Sequence, residues 1–270
     1  MQDSHHRSAI ADFFLHCDRT KTARLLLDYD GTLAPFQTDR YKAYPYPGII
    51  AILDRIIQTG RTKVSIVSGR PIEEIQNLLN PLKNFEVWGA HGLEHISADG
   101  VYERASVDPE VLSILHQAED WLRQSGLLSV AEIKPGGIAV HWRGLASAEA
   151  EDILSRIQKG WRRFNEVPSV RLLSFDCGME LRTTRPDKGD AIGAILTNTD
   201  SNAAVAFLGD DPTDEDAFRV LGKRGLSILV RSEFRATMAN VWLRPPHELI
   251  EFLNLWAERL ARPTRDNAGI

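Results

Sequence analysis

Short apolar runs alternate with helical patterns at both ends of this 270-residue chain, and that alternation limits the folds open to it. Near the N-terminus, the run Arg24–Asp28 precedes a helical pattern over Ile49–Gln58 and a second run, Lys63–Val67. Further apolar runs that predict strands are Phe85–Trp88, Ala204–Leu208, Leu226–Val230 and Val241–Leu243. Further helical patterns are Thr213–Leu221 and Pro246–Leu260. Apolar strands that alternate with helices are typical of a parallel sheet covered by helices on both faces. The sequence therefore predicts an α/β fold.

The middle of the chain has a different pattern. Two pairs of strand-like segments are each joined by turn-forming residues and predict antiparallel hairpins. The pairs are Val130–Lys134 with Ile138–Arg143 and Val170–Phe175 with Met179–Thr183. Helical patterns over Pro109–Gln124 and Ser147–Phe164 lie among them. We therefore expect a smaller α+β domain over residues 104–185, inserted into a larger domain formed by 1–103 and 186–270.

Composition excludes several classes of protein. The formal net charge of −5 disfavours a broad surface for the phosphates of nucleic acid. No stretch approaches the roughly 20 apolar residues of a membrane helix, and Met1–Ala11 lacks the layout of a secretory signal. Cys17 and Cys177 form no motif. We expect a cytoplasmic protein that binds a small molecule, with neither nucleic acid nor a membrane as partner.

Two acidic clusters follow predicted strands. Asp28-Tyr29-Asp30-Gly31-Thr32 ends the first run, and Gly209–Asp216 (GDDPTDED) follows Ala204–Leu208. Each alone has an ordinary explanation, as an acidic turn or as the acidic start of a helix. Ligands of open parallel sheets bind beyond the carboxyl ends of the strands, so these carboxylates are expected to converge. Two like charges 4 Å apart repel by about 4 kcal/mol at an effective dielectric of 20. A hard divalent cation relieves that repulsion, and oxygen-only ligands favour magnesium over zinc.

Two further segments are expected to bind an anion. Ser68-Gly69-Arg70 lies between an apolar run and Pro71, a good first residue of a helix, and amides at helix starts bind anions. Lys188-Gly189 precedes a helical pattern over Asp190–Leu196, although the helix dipole favours negative charge there. Either element alone is unremarkable. Together with the two acidic clusters, they favour a site that handles phosphate.

The segments DYDGT, VSGR, DKG and GDDPTDED resemble, in this order, the four motifs of the haloacid-dehalogenase superfamily. More closely, LLLDYDGTLAPF, VSGRPIEEI, GAHGLEH, HWRG, MELR with DKGDAI, and GDDPTDEDAF resemble the trehalose-6-phosphate phosphatase family, from about Leu25 to Leu221. Ala90 and Thr183 depart from that family, which often has Ser and usually has Pro there. The resemblance implies a Rossmann-like core with a cap domain inserted between the second and third motifs. The 117 residues between Arg70 and Lys188 suit such an insertion, because they are far too many for a loop.

Residue roles follow from the matched positions. The resemblance implies that Asp28 attacks phosphorus to form an aspartyl phosphate, and that Asp30 protonates the leaving sugar oxygen before it deprotonates water. The other implied roles are magnesium binding by Asp28, the Asp30 carbonyl and Asp210, with Asp211 and Asp214 as ligands or supports; phosphate binding by Ser68, Gly69 and Lys188; and sugar binding by Glu132, Lys134, Arg143 and Glu180 in the cap and by Arg70 and His91 in the core. Strand alternation alone also fits polar cap residues on a solvated sheet face.

The predicted function is magnesium-dependent hydrolysis of a sugar phosphate, with trehalose 6-phosphate as the expected substrate. Alternatives within the same chemistry are phosphatases of glucosylglycerol phosphate or sucrose phosphate, and a phosphomutase. A silent domain that binds a sugar phosphate or regulates a synthase is the alternative of another class, although it has no chemical need for the full residue set. A phospho-acceptor receiver domain explains neither Asp30 nor the inserted domain.

Overall fold

The computed structural model describes residues 2–175 and 177–261, with side chains from residue 6 onward. Two compact units make up the chain, and they divide after Glu103 and after Asp187. The smaller unit is Arg104–Asp187, and the larger unit consists of the chain on either side of it. Residues 262–270, which the sequence prediction assigns to the larger domain, lie outside the described residues.

The described residues form twelve strands and eight α-helices. The strands are β1 (Ala23–Leu27), β2 (Thr62–Val67), β3 (Glu86–Gly89), β4 (Glu94–Ile96), β5 (Tyr102–Arg104), β6 (Ala131–Lys134), β7 (Gly137–His141), β8 (Val170–Phe175), β9 (Gly178–Thr183), β10 (Ala204–Gly209), β11 (Leu226–Val230) and β12 (Val241–Leu243). The helices are α1 (Gln2–Cys17), α2 (Ile49–Gln58), α3 (Ile72–Leu78), α4 (Pro109–Gln124), α5 (Ser147–Trp161), α6 (Lys188–Thr197), α7 (Asp214–Leu221) and α8 (His247–Ala261). Within these described ranges, no helix combines the length and the apolar character needed to cross a membrane.

The larger unit is built on an eight-stranded sheet in the order β12-β11-β10-β1-β2-β3-β4-β5. The pairs from β12 to β3 are parallel, and β4 pairs with β3 in the antiparallel sense. The predicted α/β class is therefore confirmed. The parallel order places the carboxyl end of β1 between those of β10 and β2, because β1 pairs with both strands.

Helices cover the two faces of this sheet, and β1 is therefore buried on both sides. Leu25 and Leu27 belong to a cluster with Ile52 of α2 and Trp256 of α8. Leu26 points the other way and belongs to a cluster with residues of α6 and α7. Since successive side chains of a strand alternate in direction, a strand buried on both faces reads as a continuous apolar run. That is why the run was visible in the sequence.

The smaller unit is an antiparallel sheet in the order β6-β7-β9-β8, with α4 and α5. Ile138 and Val140 of β7 and Leu181 of β9 form an apolar cluster with residues of both helices. The two predicted hairpins are confirmed, since β6 pairs with β7 and β8 pairs with β9. The opposite face of the sheet carries polar side chains at alternate positions.

Candidate active site

Three buried aspartates converge at the carboxyl ends of the central strands of the larger unit. Asp28 follows β1, and Asp210 follows β10, which pairs with β1. Asp214 is the first residue of α7, and a short loop joins it to Asp210. Each carboxylate offers one oxygen within 4.8 Å of the other two. The expected convergence is therefore present for Asp28, Asp210 and Asp214. It is wrong for the Asp30 carboxylate, which is paired with Arg70 instead.

Lys188 is the first residue of α6, and its ammonium group lies between two of these carboxylates. Its Nζ is 2.7 Å from Asp28 Oδ1 and 2.7 Å from Asp214 Oδ1. Burial lowers the pKa of Lys188, but Asp214 and Asp28 outweigh burial and hold that pKa well above its usual value. Burial also raises the pKa of the Asp28 carboxyl, and Lys188 opposes that rise without cancelling it. One ammonium ion does not balance three buried carboxylates.

The carboxylates of the second acidic cluster differ in how many hydrogen bonds they accept from the protein. Asp214 Oδ2 accepts the backbone N–H groups of Asp210 (2.9 Å) and Asp211 (3.0 Å), while its Oδ1 accepts from Lys188. Asp211 Oδ1 accepts both the backbone N–H and the hydroxyl of Thr213, each at 2.6 Å. These two side chains therefore shape the loop. Within the described part of the chain, the Asp210 carboxylate has only a long ion pair, 3.8 Å from Arg231 Nη1.

The surroundings of Asp210 fit a divalent cation. Burial, followed by the charges of Asp28 and Asp211, raises the pKa of Asp210 well above its usual value. Gly31 has φ +78°, and a Cβ there would lie 2.2 Å from Asp210 Oδ2, so the glycine keeps this carboxylate accessible to the turn after β1. Buried oxygen ligands with excess negative charge are the donor set that hard cations prefer. The cluster is compatible with a metal ion.

Arg70 holds the Asp30 carboxylate in a two-pronged ion pair. Arg70 Nε lies 2.6 Å from Asp30 Oδ2, and Nη2 lies 2.7 Å from Oδ1. Arg70 Nη1 also donates to the Arg40 carbonyl at 2.9 Å and to Glu74 Oε2 at 3.2 Å. This geometry fixes the orientation of the carboxylate. Arg70 was predicted to bind sugar, and the sequence analysis missed its contact with Asp30, which strand adjacency could have indicated.

Ser68 and Gly69 follow β2, at the strand end next to Asp28. Ser68 is buried, and its Oγ accepts the Arg70 backbone N–H at 3.2 Å. A Cβ on Gly69 would lie 2.7 Å from the imidazole of His91, so that ring rests directly on the glycine. The backbone N–H of His91 donates to the Ser68 carbonyl at 2.9 Å. The structure thus brings His91 to the predicted phosphate-binding segment.

In the smaller unit, three of the predicted sugar-binding residues meet on the polar face of the sheet. Lys134 Nζ lies 3.1 Å from Glu180 Oε1 and 3.7 Å from Glu132 Oε1. His141, which was outside the predicted set, contacts Glu132 Oε2 through Nε2 at 2.9 Å. Arg143 is half-buried, two residues beyond the end of β7. The shared face explains why strand alternation grouped these residues.

Comparisons with known proteins match this chain over most of its length. A family model described as trehalose-phosphatase matches residues 26–241, most of the chain. The trehalose-phosphate phosphatase of Mycobacterium tuberculosis is 30% identical over 258 residues, which cover 90% of this chain and 62% of that protein. The chain thus matches less than two thirds of the length of this relative.

Solved structures share the fold. The C-terminal domain of C. albicans trehalose-6-phosphate phosphatase has a TM-score of 0.77 at 20% identity and covers 92% of this chain and 96% of its own. A haloacid dehalogenase-like hydrolase from B. subtilis has a TM-score of 0.59 at 16% identity, with coverages of 86% and 99%. Family model and fold agree. The chain belongs to the trehalose-phosphatase family of phosphoric monoester hydrolases, on a haloacid-dehalogenase-like fold.

Proposed function

We propose that this chain hydrolyses trehalose 6-phosphate to trehalose and phosphate through an aspartyl phosphate on Asp28. The observation that carries the proposal is the Asp28 carboxylate, which is buried at the end of β1 and held by Lys188 and by Thr32 Oγ1 at 3.2 Å. Burial raises the pKa of this carboxyl to about 8 even with Lys188 beside it, so the ionised form that attacks phosphorus depends on positive charge held at the site. The family to which the chain belongs supports the choice of substrate.

Two displacements at phosphorus make up the reaction. In the first, Asp28 forms an O–P bond while the bond from phosphorus to the sugar oxygen breaks, and Asp30 donates a proton to that oxygen. In the second, water attacks phosphorus, Asp30 takes a proton from the water, and the Asp28–phosphorus bond breaks. Arg70 keeps the Asp30 carboxylate oriented between these steps through its two hydrogen bonds. Lys188 and Ser68 stabilise the phosphoryl oxygens.

Asp28, Asp210 and the Asp30 carbonyl would hold a magnesium ion, with Asp211 and Asp214 shaping the loop that presents Asp210. When bound, the ion offsets the negative charge that accumulates between the nucleophile and the phosphoryl group. The excess of buried carboxylates over ammonium groups supports this assignment. Because Asp214 already accepts hydrogen bonds at both oxygens, we assign it a supporting role.

The smaller unit supplies residues that recognise the sugar. Glu132, Lys134 and Glu180 lie on one face of its sheet and can bind hydroxyl groups as acceptors and donors. We extend this role to Arg143, and to His91 in the larger unit, on the family resemblance alone. Sugar specificity is therefore assigned to Arg104–Asp187, and catalysis to the rest of the chain. Cys17 is buried and forms no disulfide, which supports a reducing, cytoplasmic setting.

A screen of phosphate release tests this function. The substrates are trehalose 6-phosphate, sucrose phosphate, glucosylglycerol phosphate and glucose 6-phosphate, each with magnesium and with EDTA. We expect trehalose 6-phosphate to be preferred, EDTA to abolish activity, and Asp28→Asn to be inactive while its circular dichroism spectrum is unchanged. Release by Asp28→Asn at the wild-type rate would contradict the nucleophile assignment. Preference for another sugar phosphate would contradict the substrate assignment, and binding without any turnover would favour the silent domain.

A further inference from the structure

Arg235 lies in the segment between β11 and β12, and its guanidinium contacts the loop that carries Asp210. Arg235 Nε donates to the Asp210 carbonyl at 3.2 Å, and Nη2 donates to the Asp211 carbonyl at 2.7 Å. Two consecutive carbonyl groups therefore accept from one guanidinium, which is planar and presents its donors as a rigid fork. The arginine thus fixes the direction of both carbonyl groups.

Glu215 of α7 holds the Arg235 side chain and its segment in place. The Glu215 carboxylate accepts from Arg235 Nη1, from Thr237 Oγ1 at 2.8 Å and from the Met238 backbone N–H at 2.8 Å. The side chains of Arg235 and Glu215 are largely buried, with exposed fractions of 20% and 24%. Hydrogen bonds between ionised partners are stronger than those between neutral groups. The guanidinium is therefore anchored to the helix that follows the acidic loop.

These contacts fix the backbone on both sides of the Asp210 side chain. The N–H groups of Asp210 and Asp211 donate to Asp214 Oδ2. The carbonyl groups of the same two residues accept from Arg235, so the peptide group between them is held at both ends. The Asp210 carboxylate has only the 3.8 Å ion pair with Arg231 among the described residues. Its orientation therefore depends on the backbone that Arg235 holds.

We propose that Arg235 is a positioning residue of the metal site, which keeps the Asp210 carboxylate in the orientation that binds magnesium. This assignment rests on the proposed function and deepens it, because Asp210 is a proposed magnesium ligand. Groups that orient metal ligands typically contribute about 10-fold to 100-fold to metal affinity. The positive charge of Arg235 by itself repels a cation, so loss of charge alone would tighten magnesium binding. Loss of positioning has the opposite sign, because it weakens binding.

Calorimetric titration with magnesium chloride tests this role in Arg235→Met, with Arg224→Met as the matched control. Arg224 also donates to two backbone carbonyls, those of Asp200 and Ala203, but these precede β10, at the opposite end of the strand from Asp210. For Arg235→Met we expect the Kd for magnesium to rise about 10-fold to 100-fold. Arg224→Met should keep the wild-type Kd. Both variants should have a lower Tm than the wild type in EDTA, so the Kd separates positioning from a structural role.

Arg235→Lys is the second variant, for the case in which Arg235→Met does not fold. Lysine keeps the charge and lacks the planar fork, so the Kd for magnesium should rise here too. A Kd at or below the wild-type value in the Arg235 variant that folds, or an equal rise in Arg224→Met, would overturn the proposal and leave the magnesium site in place. Absence of magnesium binding to the wild-type chain would overturn both the metal assignment and the role of Arg235.

Discussion

Replacing Lys188 with methionine removes the ammonium ion that lies between the Asp28 and Asp214 carboxylates. Both distances are 2.7 Å, and all three side chains are buried. Removing one partner of a buried ion pair costs about 3–5 kcal/mol, because a buried charge is left uncompensated. We therefore expect the free energy of unfolding of Lys188→Met, measured in EDTA at pH 8, to fall by about that amount.

The pH dependence of this loss has a definite sign. Burial raises the folded-state pKa values of Asp28 and Asp214, and Lys188 opposes the rise in both. Without the ammonium group, both pKa values rise further above the unfolded value of about 3.9. A carboxyl whose folded-state pKa lies above its unfolded value costs stability at pH values above the unfolded pKa, and this cost shrinks as the pH falls from the folded-state pKa toward the unfolded one. The stability difference between variant and wild type should therefore be largest at high pH and smaller at pH 5.5.

Urea unfolding followed by tryptophan fluorescence measures this difference. With a slope near 3 kcal/mol per M, the midpoint of Lys188→Met should lie about 1–2 M below that of the wild type at pH 8. The matched control is Asp28→Asn with Lys188→Met, which replaces a carboxylate by a neutral amide and should recover part of the loss. A wild-type midpoint for Lys188→Met, or a loss of stability that grows as the pH falls, would refute the electrostatic explanation.

Three further perturbations have distinct expected outcomes. Gly31→Ala should abolish phosphate release, because its Cβ would lie 2.2 Å from Asp210 Oδ2. The control Gly48→Ala also has a positive φ but no neighbour within 4 Å, so it should lose stability and keep its activity. Equal rates of phosphate release from the two variants would count against the contact with Asp210. Asp30→Asn should reduce turnover of trehalose 6-phosphate by about 10²–10⁴-fold, and a smaller loss would remove its acid–base role. Burial raises the pKa of the Cys17 thiol to about 12, so Ellman's reagent should modify Cys17 only in urea; rapid reaction in buffer would disprove that burial.

The six parallel strands of the larger unit were predictable, whereas β4, β5 and helix α1 were not predicted. Leu25, Leu26 and Leu27 read as a strand because neighbours on both faces bury them, which makes the run continuously apolar. Helix α1 fits the core through Phe13 and Phe14, whose rings lie 5.4 Å and 6.2 Å from that of Trp256. Those contacts join residues more than 240 positions apart, and no local pattern at the N-terminus indicates them.

Convergence of Asp28 and Asp210 was predictable from the topology, whereas the departure of the Asp30 carboxylate toward Arg70 was not. Asp28 and Asp210 each follow an apolar run, and parallel strands place such positions at one edge of the sheet. The pairing of Arg70 with Asp30 required knowledge that β1 and β2 are adjacent, which the sequence indicated only as a class of fold. Charge complementarity across two adjacent strand ends is the signal that would have found it.

The balance of charge differs between the polar sites of the two units, and this difference supports a different ligand for each. The site at the end of β1 has three buried carboxylates near a single lysine ammonium group, so a cation lowers its free energy. The polar face of the smaller sheet instead pairs Lys134 with Glu180 at 3.1 Å and with Glu132 at 3.7 Å, so neither a further cation nor a further anion satisfies the whole face. A neutral polyhydroxyl compound does, because each hydroxyl group both donates and accepts. The same physical reasoning thus supports both parts of the proposed function, magnesium at one site and a sugar at the other.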